Sequence, residues 1–147
     1  MEFDARVRLA IYEHTIRHTR VPLIREIAAQ IEASEAAVRE ACLRLYAGRT
    51  GIVPHAASGE LLFAAPFSAA PSSFQVEVNG RRWFAPCGWD AFGIVQILGG
   101  TGVVHTSCPC CGEPFRVSVT NYTLDDACGW MNLVVPAKRF WEDIVFT

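Results

Sequence analysis

Residues 74–98, FQVEVNGRRWFAPCGWDAFGIVQIL, change character twice, and those changes decide the fold. Phe74 to Val78 alternates apolar and polar side chains, the period of a half-buried strand. Asn79-Gly80 follows, a pair that tolerates the positive φ of a tight hairpin turn. Arg82 to Ala85 returns as a second strand. After Pro86 the alternation stops, and Asp90 to Leu98 reads as a short helix. Cys87 therefore lies where a strand gives way to a helix, with Asp90 in the first helical turn.

Working outward toward the N-terminus, three helices are expected. The first covers residues 4 to 18, with Val7, Ala10, Ile11 and Ile16 as its apolar stripe. Pro22 opens a second over 23 to 31, with Leu23, Ile24, Ile27, Ala28 and Ile31 turned inward. Ser34 is an N-cap for a third over 35 to 47, whose buried side is Val38, Cys42, Leu43 and Leu45-Tyr46. Gly48 stops it. Ile52-Val53, an ASGE turn and Leu61 to Phe63 then form a hairpin. Ala64 to Ser73, rich in Pro, Ala and Ser, reads as a linker, with Phe67 available to pack into the next unit. Beyond the opening stretch, Val103 to Thr106 and Phe115 to Thr120 flank a Cys-Pro turn as another hairpin, and Met131 to Val135 is expected as the last core strand. The fold class is α+β. A winged-helix-like three-helix part spans residues 1–66, and a small mixed or antiparallel sheet domain spans 67–147.

Composition narrows the function. Of 147 residues, 51% are apolar and 19% charged, enough to bury a core and too few charges for a disordered chain. A net charge of -2 gives no general attraction to nucleic acid. The third helix offers only Arg39, Arg44 and Arg49 as basic groups, opposed by Glu35 and Glu40, so DNA is not expected as a partner. No apolar run is long enough to span a membrane, and MEFDARVRLAIYEH lacks a secretory apolar stretch. A cytoplasmic, reducing setting is expected, where six cysteines serve as thiols or metal ligands.

Two cysteines and a carboxylate carry the chemistry. A thiolate is a strong nucleophile and a soft-metal ligand. Cys87 at a helix start should have its thiolate favoured by the helix dipole, and Asp90 could exchange a proton with it. Cys128, in DACGWMNLVV, supplies the second thiol. The bland alternative makes Cys87 and Cys128 small core residues and Asp90 a helix-capping carboxylate.

The run RRWFAPCGWDAFGIVQILGGTGVVHTSCPCCGEPFRVSV followed by CGWMNLVV resembles the core of the alkylmercury lyase (organomercurial lyase) family over roughly residues 60 to 135. The matching positions are Cys87, Asp90, Gly99, Gly100, Cys108, Pro109, Gly112, Cys128, Asn132 and Leu133-Val134. The resemblance implies a winged-helix-like domain ahead of a catalytic one. It implies cleavage of carbon–mercury bonds by protonolysis, with Cys87, Asp90 and Cys128 as catalytic residues and Cys87 as first attacker. It further implies that Cys87 and Cys128 hold the Hg(II) product and that no cofactor is required. Small thiols, a mercuric reductase accepting Hg(II) and a second copy in a homodimer are the partners it suggests. Fuller members continue beyond the point matching EDIVFT. A short member is expected to have a more open site, a different substrate, or a partner copy covering the gap.

Cys108-Pro109-Cys110-Cys111-Gly112 is a knuckle pattern of its own. The readings, in order, are a structural turn, an accessory soft-metal or redox group formed by Cys108, Cys110 and Cys111, and a zinc site. Cys110 and Cys111 depart from the family pattern. Trp83, Trp89 and Trp130 flank the candidate site and are candidates for walling an apolar pocket, with plain core packing as the alternative. Asn132 is a candidate for orienting the Cys128 segment, while His14, His18, His55 and His105 are scattered. Two competitors to the enzyme remain: a winged-helix sensor of soft metals or oxidants, and a zinc-stabilised interaction module. A sensor has no use for a proton-carrying Asp90.

Overall fold

The computed structural model describes residues 2–125 and 129–146. Three helices come first: α1 (Phe3–His18), α2 (Ile24–Gln30) and α3 (Glu35–Ala47). The Ser34 side chain accepts the Ala37 N–H at 3.2 Å, the cap that starts α3. Val38, Ala41, Cys42 and Leu45 form its buried stripe. Leu43 and Tyr46, expected inward, are 57% and 40% exposed, because they fall off that i, i+3, i+4, i+7 row. Leu23 is likewise outside, in the extended residue that precedes α2.

A three-stranded antiparallel sheet follows, in the order β1 (Ile52–Pro54), β2 (Leu61–Ala64), β3 (Phe67–Ser68). The stretch read as a linker thus contributes a strand to this sheet, and Phe67 is 1% exposed, packed near both Tyr12 and Trp83. The second sheet has five antiparallel strands in the order β5-β4-β6-β7-β8. They are β4 (Phe74–Val78), β5 (Arg81–Ala85), β6 (Gly102–Ser107), β7 (Pro114–Thr120) and β8 (Thr123–Leu124). The helix α4 (Gly88–Ile97) packs Ala91, Ile94 and Val95 toward the core shared with Val76, Val78, Trp83, Ala85, Val104 and Val119. This buried cluster is continuous with the apolar stripes of α1, α2 and α3.

The expected last strand, Met131 to Val135, does not form among the described residues. The segment has no strand pairing there, and Trp130, Met131, Leu133 and Val134 are all exposed. The sheet ends instead at β8, directly after a turn at Asn121 and Tyr122. Apolar composition alone suggested a strand, but a strand needs a neighbour with free backbone groups, and β8 is so placed beside β7. A 3₁₀ segment, Ala137–Glu142, lies near the C-terminus.

Long-range polar contacts tie the helices to the second sheet. The Arg81 guanidinium donates to the Ile16 and Arg17 carbonyls at the C-terminal end of α1, both at 2.6 Å. A cation there meets unsatisfied carbonyls and the negative end of the helix dipole. Trp83 Nε1–H donates to the buried Thr15 carbonyl at 3.0 Å. At the far end of α4, Gly100 adopts φ +72°, and an added Cβ would lie 2.5 Å from the Tyr122 ring, so glycine is required there.

Candidate active site

The β5–α4 junction is built to present one thiol. Ser72 Oγ donates to the Ala85 carbonyl at 2.6 Å and accepts the Phe74 N–H at 3.1 Å, pinning the end of β5. Two residues on, Cys87 occupies the N-cap of α4 in an extended conformation, and its carbonyl accepts the Ala91 N–H at 3.0 Å. The helix therefore begins at Gly88, earlier than the sequence pattern indicated. One turn in, Asp90 points back: Cys87 Sγ donates to Asp90 Oδ2 at 3.5 Å, within the range of a hydrogen bond from sulfur.

Both groups are half-buried, and burial governs their protonation. Desolvation pushes the Cys87 thiol above its ordinary range, and the neighbouring Asp90 charge pushes the same way. Backbone N–H groups of Asp90 and Trp89 at the helix start oppose this, and they lose. The expectation of a depressed Cys87 pKa is thus reversed: the helix terminus contributes as foreseen, but removal from water outweighs it. Desolvation also raises Asp90, with the hydrogen bond from Cys87 acting in the opposite sense. The result is a thiol–carboxyl pair that resists holding two negative charges at once.

Tyr12 was not singled out by the sequence. It comes from α1 and lies close enough that the Asp90 charge contributes to raising its pKa, after the larger effect of burial. Its hydroxyl donates to the Ala65 carbonyl at 2.8 Å, and the Arg8 guanidinium sits 5.8 Å from its ring centroid. No local motif marks it, since only the packing of α1 against the second half of the chain brings it there.

Cys128 lies outside the described residues. Those just after it reach the junction: a Cβ built on Gly88 would be 3.6 Å from Met131 Cε and 3.4 Å from Phe74 Cε1. Similarly, a Cβ on Gly129 would be 3.2 Å from Phe115 Cζ, at the start of β7. The three tryptophans do not wall one pocket. Trp83 is buried in the core, whereas Trp89 and Trp130 are 64% and 101% exposed. A cavity of about 590 Å³ lies elsewhere, between α3 and the β1–β2 hairpin, and is lined by Leu43, Tyr46, Val53, Leu62 and Val145. Asn132 is exposed.

The Cys108–Gly112 turn closes the β6–β7 hairpin. The Cys108 N–H donates to the Glu113 carbonyl and the Gly112 N–H to the Cys108 carbonyl, each at 2.8 Å. Cys110 and Cys111 are exposed. The N–H groups of Cys111 and Cys110, then the Cys111 thiol, hydrogen-bond toward the Cys108 sulfur and hold its pKa below the ordinary value. Among the described residues no three His, Cys, Asp or Glu side chains are grouped to hold a metal. Nor is any helix among them long and apolar enough to cross a membrane. On α3, Arg39 pairs with Glu35 and Glu60 and donates to the Ser58 carbonyl, and Arg44 pairs with Asp4, so both cations have partners within the protein.

A model of the alkylmercury lyase family matches residues 67–146. A solved structure, the mercury-bound form of MerB2, superposes with a TM-score of 0.60 at 23% identity, a likeness of fold. That match covers 82% of this chain and 58% of the other, so the chain spans somewhat more than half the length of that relative. No curated protein sequence matches.

Proposed function

Because this chain belongs to the alkylmercury lyase family, we propose that it cleaves carbon–mercury bonds by protonolysis, with Cys87 attacking, Cys128 as second sulfur and Asp90 carrying the proton. The observation behind this reading is the half-buried Cys87–Asp90 hydrogen bond of 3.5 Å at the start of α4. Carbon bound to mercury carries electron density, so breaking the bond requires a proton at carbon while sulfur loads the metal. Cys87 forms a sulfur–mercury bond as the leaving ligand departs, and its proton passes to Asp90. Cys128 adds the second sulfur and releases its own proton to solvent. The carbon–mercury bond breaks, carbon takes the proton from Asp90, and the products are a hydrocarbon and Hg(II) held by two thiolates.

The electrostatics suit that sequence. A carboxyl whose pKa is raised by burial keeps a transferred proton long enough to deliver it, which an ordinary surface carboxylate does less well. The Met131 side chain beside Gly88 supports a role for Cys128. Met131 follows Cys128 by three residues in the sequence, and its side chain lies against the start of α4. The substrate class is an organomercurial cation, and small thiols or a mercuric reductase take up the Hg(II). The chemistry calls for no cofactor.

The test is hydrocarbon release. The reduced protein, incubated with a phenylmercury salt and excess monothiol, is expected to liberate benzene over several turnovers, followed by gas chromatography. Cys87→Ser and Cys128→Ser each abolish release while the far-ultraviolet spectrum stays unchanged. Wild-type protein that binds Hg(II) tightly yet liberates no benzene overturns the lyase reading in favour of a sensor or binding protein. Full activity in Cys128→Ser removes that residue from the mechanism.

A further inference from the structure

The strand register brings a second set of thiols to the same end of the sheet as Cys87. Ala85, the last residue of β5, pairs with Phe74 at the start of β4. Next to it, Gln75 pairs with His105 near the end of β6, and Ser107 pairs with Pro114 at the start of β7. The exit of β5 toward Cys87 and the exit of β6 toward Cys108 therefore lie at one end of the sheet. They are separated laterally by two strand spacings, about 10 Å. Gly129 and Met131 lie against Phe115 and Gly88 at this same end.

The hairpin tip has the form of a dithiol. Cys108 and Cys111 stand in a C-x-x-C spacing, with a turn closed by Cys108–Glu113 and Gly112–Cys108 backbone hydrogen bonds. Cys111 and Cys110 are open to solvent, while Cys108 is half-buried. A structural turn has no need of three sulfurs. A tetrahedral zinc site needs four ligands, and the described residues offer no group of three. Two sulfurs suffice for a soft ion of low coordination number.

We propose that Cys108 and Cys111 form a second two-thiolate site, which receives Hg(II) from the Cys87 centre and passes it to an acceptor outside the protein. This rests on the lyase reading for the origin of the ion, although binding at the tip does not. The transfer is ligand exchange without redox change. A tip thiol forms a sulfur–mercury bond, the Cys87–mercury bond breaks, and the proton lost by the incoming thiol goes to the departing one. A second exchange completes the move, and two external thiols then repeat it. The exposed tip gives an acceptor access that the half-buried Cys87 does not.

Two experiments on the full chain test this. First, the Cys87→Ser/Cys128→Ser protein, fully reduced, is titrated with Hg(II) in the presence of a competing monothiol. It is expected to retain one ion per chain, read from thiolate-to-mercury ultraviolet absorption and native mass. Adding Cys108→Ser and Cys111→Ser should abolish that retention, whereas adding Cys110→Ser should not. This result is independent of any lyase activity. Second, in the otherwise wild-type chain, Cys108→Ser/Cys111→Ser should leave the first-turnover burst of benzene unchanged and slow Hg(II) transfer to an external dithiol at least tenfold. No retention by the first protein, or an unchanged transfer rate in the second, overturns the proposal. Loss of the benzene burst in a Cys108→Ser protein with an unchanged melting curve also overturns it, because that sulfur then belongs to the cleavage step.

Discussion

Replacing Asp90 by asparagine separates proton delivery from thiolate formation, and the two should move in opposite directions. In the wild type, ionising both Cys87 and Asp90 places two negative charges 3.5 Å apart. Their repulsion at that distance is about 1 kcal/mol in water-like surroundings and about 5 kcal/mol at the effective dielectric of a protein site. The Asp90→Asn change removes the repulsion and the carboxylate acceptor while leaving the helix-start N–H groups in place. The Cys87 thiolate should therefore become more accessible at neutral pH, by several-fold even at the weaker limit. Alkylation by iodoacetamide, followed across pH with peptide-resolved mass spectrometry, reports this at Cys87 separately from the exposed Cys110 and Cys111. The Cys87 profile should shift to lower pH. In the same protein, benzene release should fall by about 10²–10⁴, the usual worth of a positioned general acid or base, or about 3–5 kcal/mol of barrier. Tight Hg(II) binding should persist. A Cys87 profile that stays put or shifts to higher pH would refute the electrostatic account. Undiminished benzene release would remove Asp90 from proton transfer.

Two further predictions concern the scaffold. Glu26 is held down to about 2, first by its hydrogen bond from Arg20 and then by the Leu23 N–H. A carboxyl depressed on folding stabilises the native state fully above its unfolded pKa, about 4.5, and that contribution disappears as pH falls toward 2. Urea denaturation at pH 7 and pH 3 should show a smaller acid loss for Glu26→Gln than for wild type, and an equal loss would refute this. Cys42 is fully enclosed, and desolvation pushes its thiol up to about 11. It should remain unmodified by iodoacetamide in native protein at pH 8 and react once guanidinium unfolds the chain; native reactivity would show that the α1–α3 core opens.

The local code was legible where a few neighbouring residues settle the matter. Ser34 announced α3 because a hydroxyl three residues ahead of an N–H is all a cap requires. Asn79 and Gly80 adopt φ of 51° and 72°, as their place in a tight hairpin demands. Burial was less legible within that framework. Leu43 and Tyr46 looked like core and are outside, since only the angular position on α3 distinguishes them from Cys42 and Leu45. The apolar run at Met131 to Val135 promised a strand and forms none, because pairing depends on a partner edge that the run itself does not contain.

The site divides along the same line. Spacing alone placed Asp90 one helical turn from Cys87, and residues three apart on a helix start face one another whatever the rest of the chain does. The sign of the Cys87 shift was a tertiary matter. The helix terminus is local and favours the thiolate, but the water excluded around it depends on how α4 packs against the sheet, and desolvation prevailed. Tyr12 within electrostatic reach of Asp90, and the Cys108–Cys111 tip at the same end of the sheet as Cys87, were likewise decided by α1 packing and by the β5-β4-β6-β7 order. A sequence displays contacts between neighbours in the chain; proximity between distant segments, and the dielectric it creates, exists only once the strands have chosen their partners.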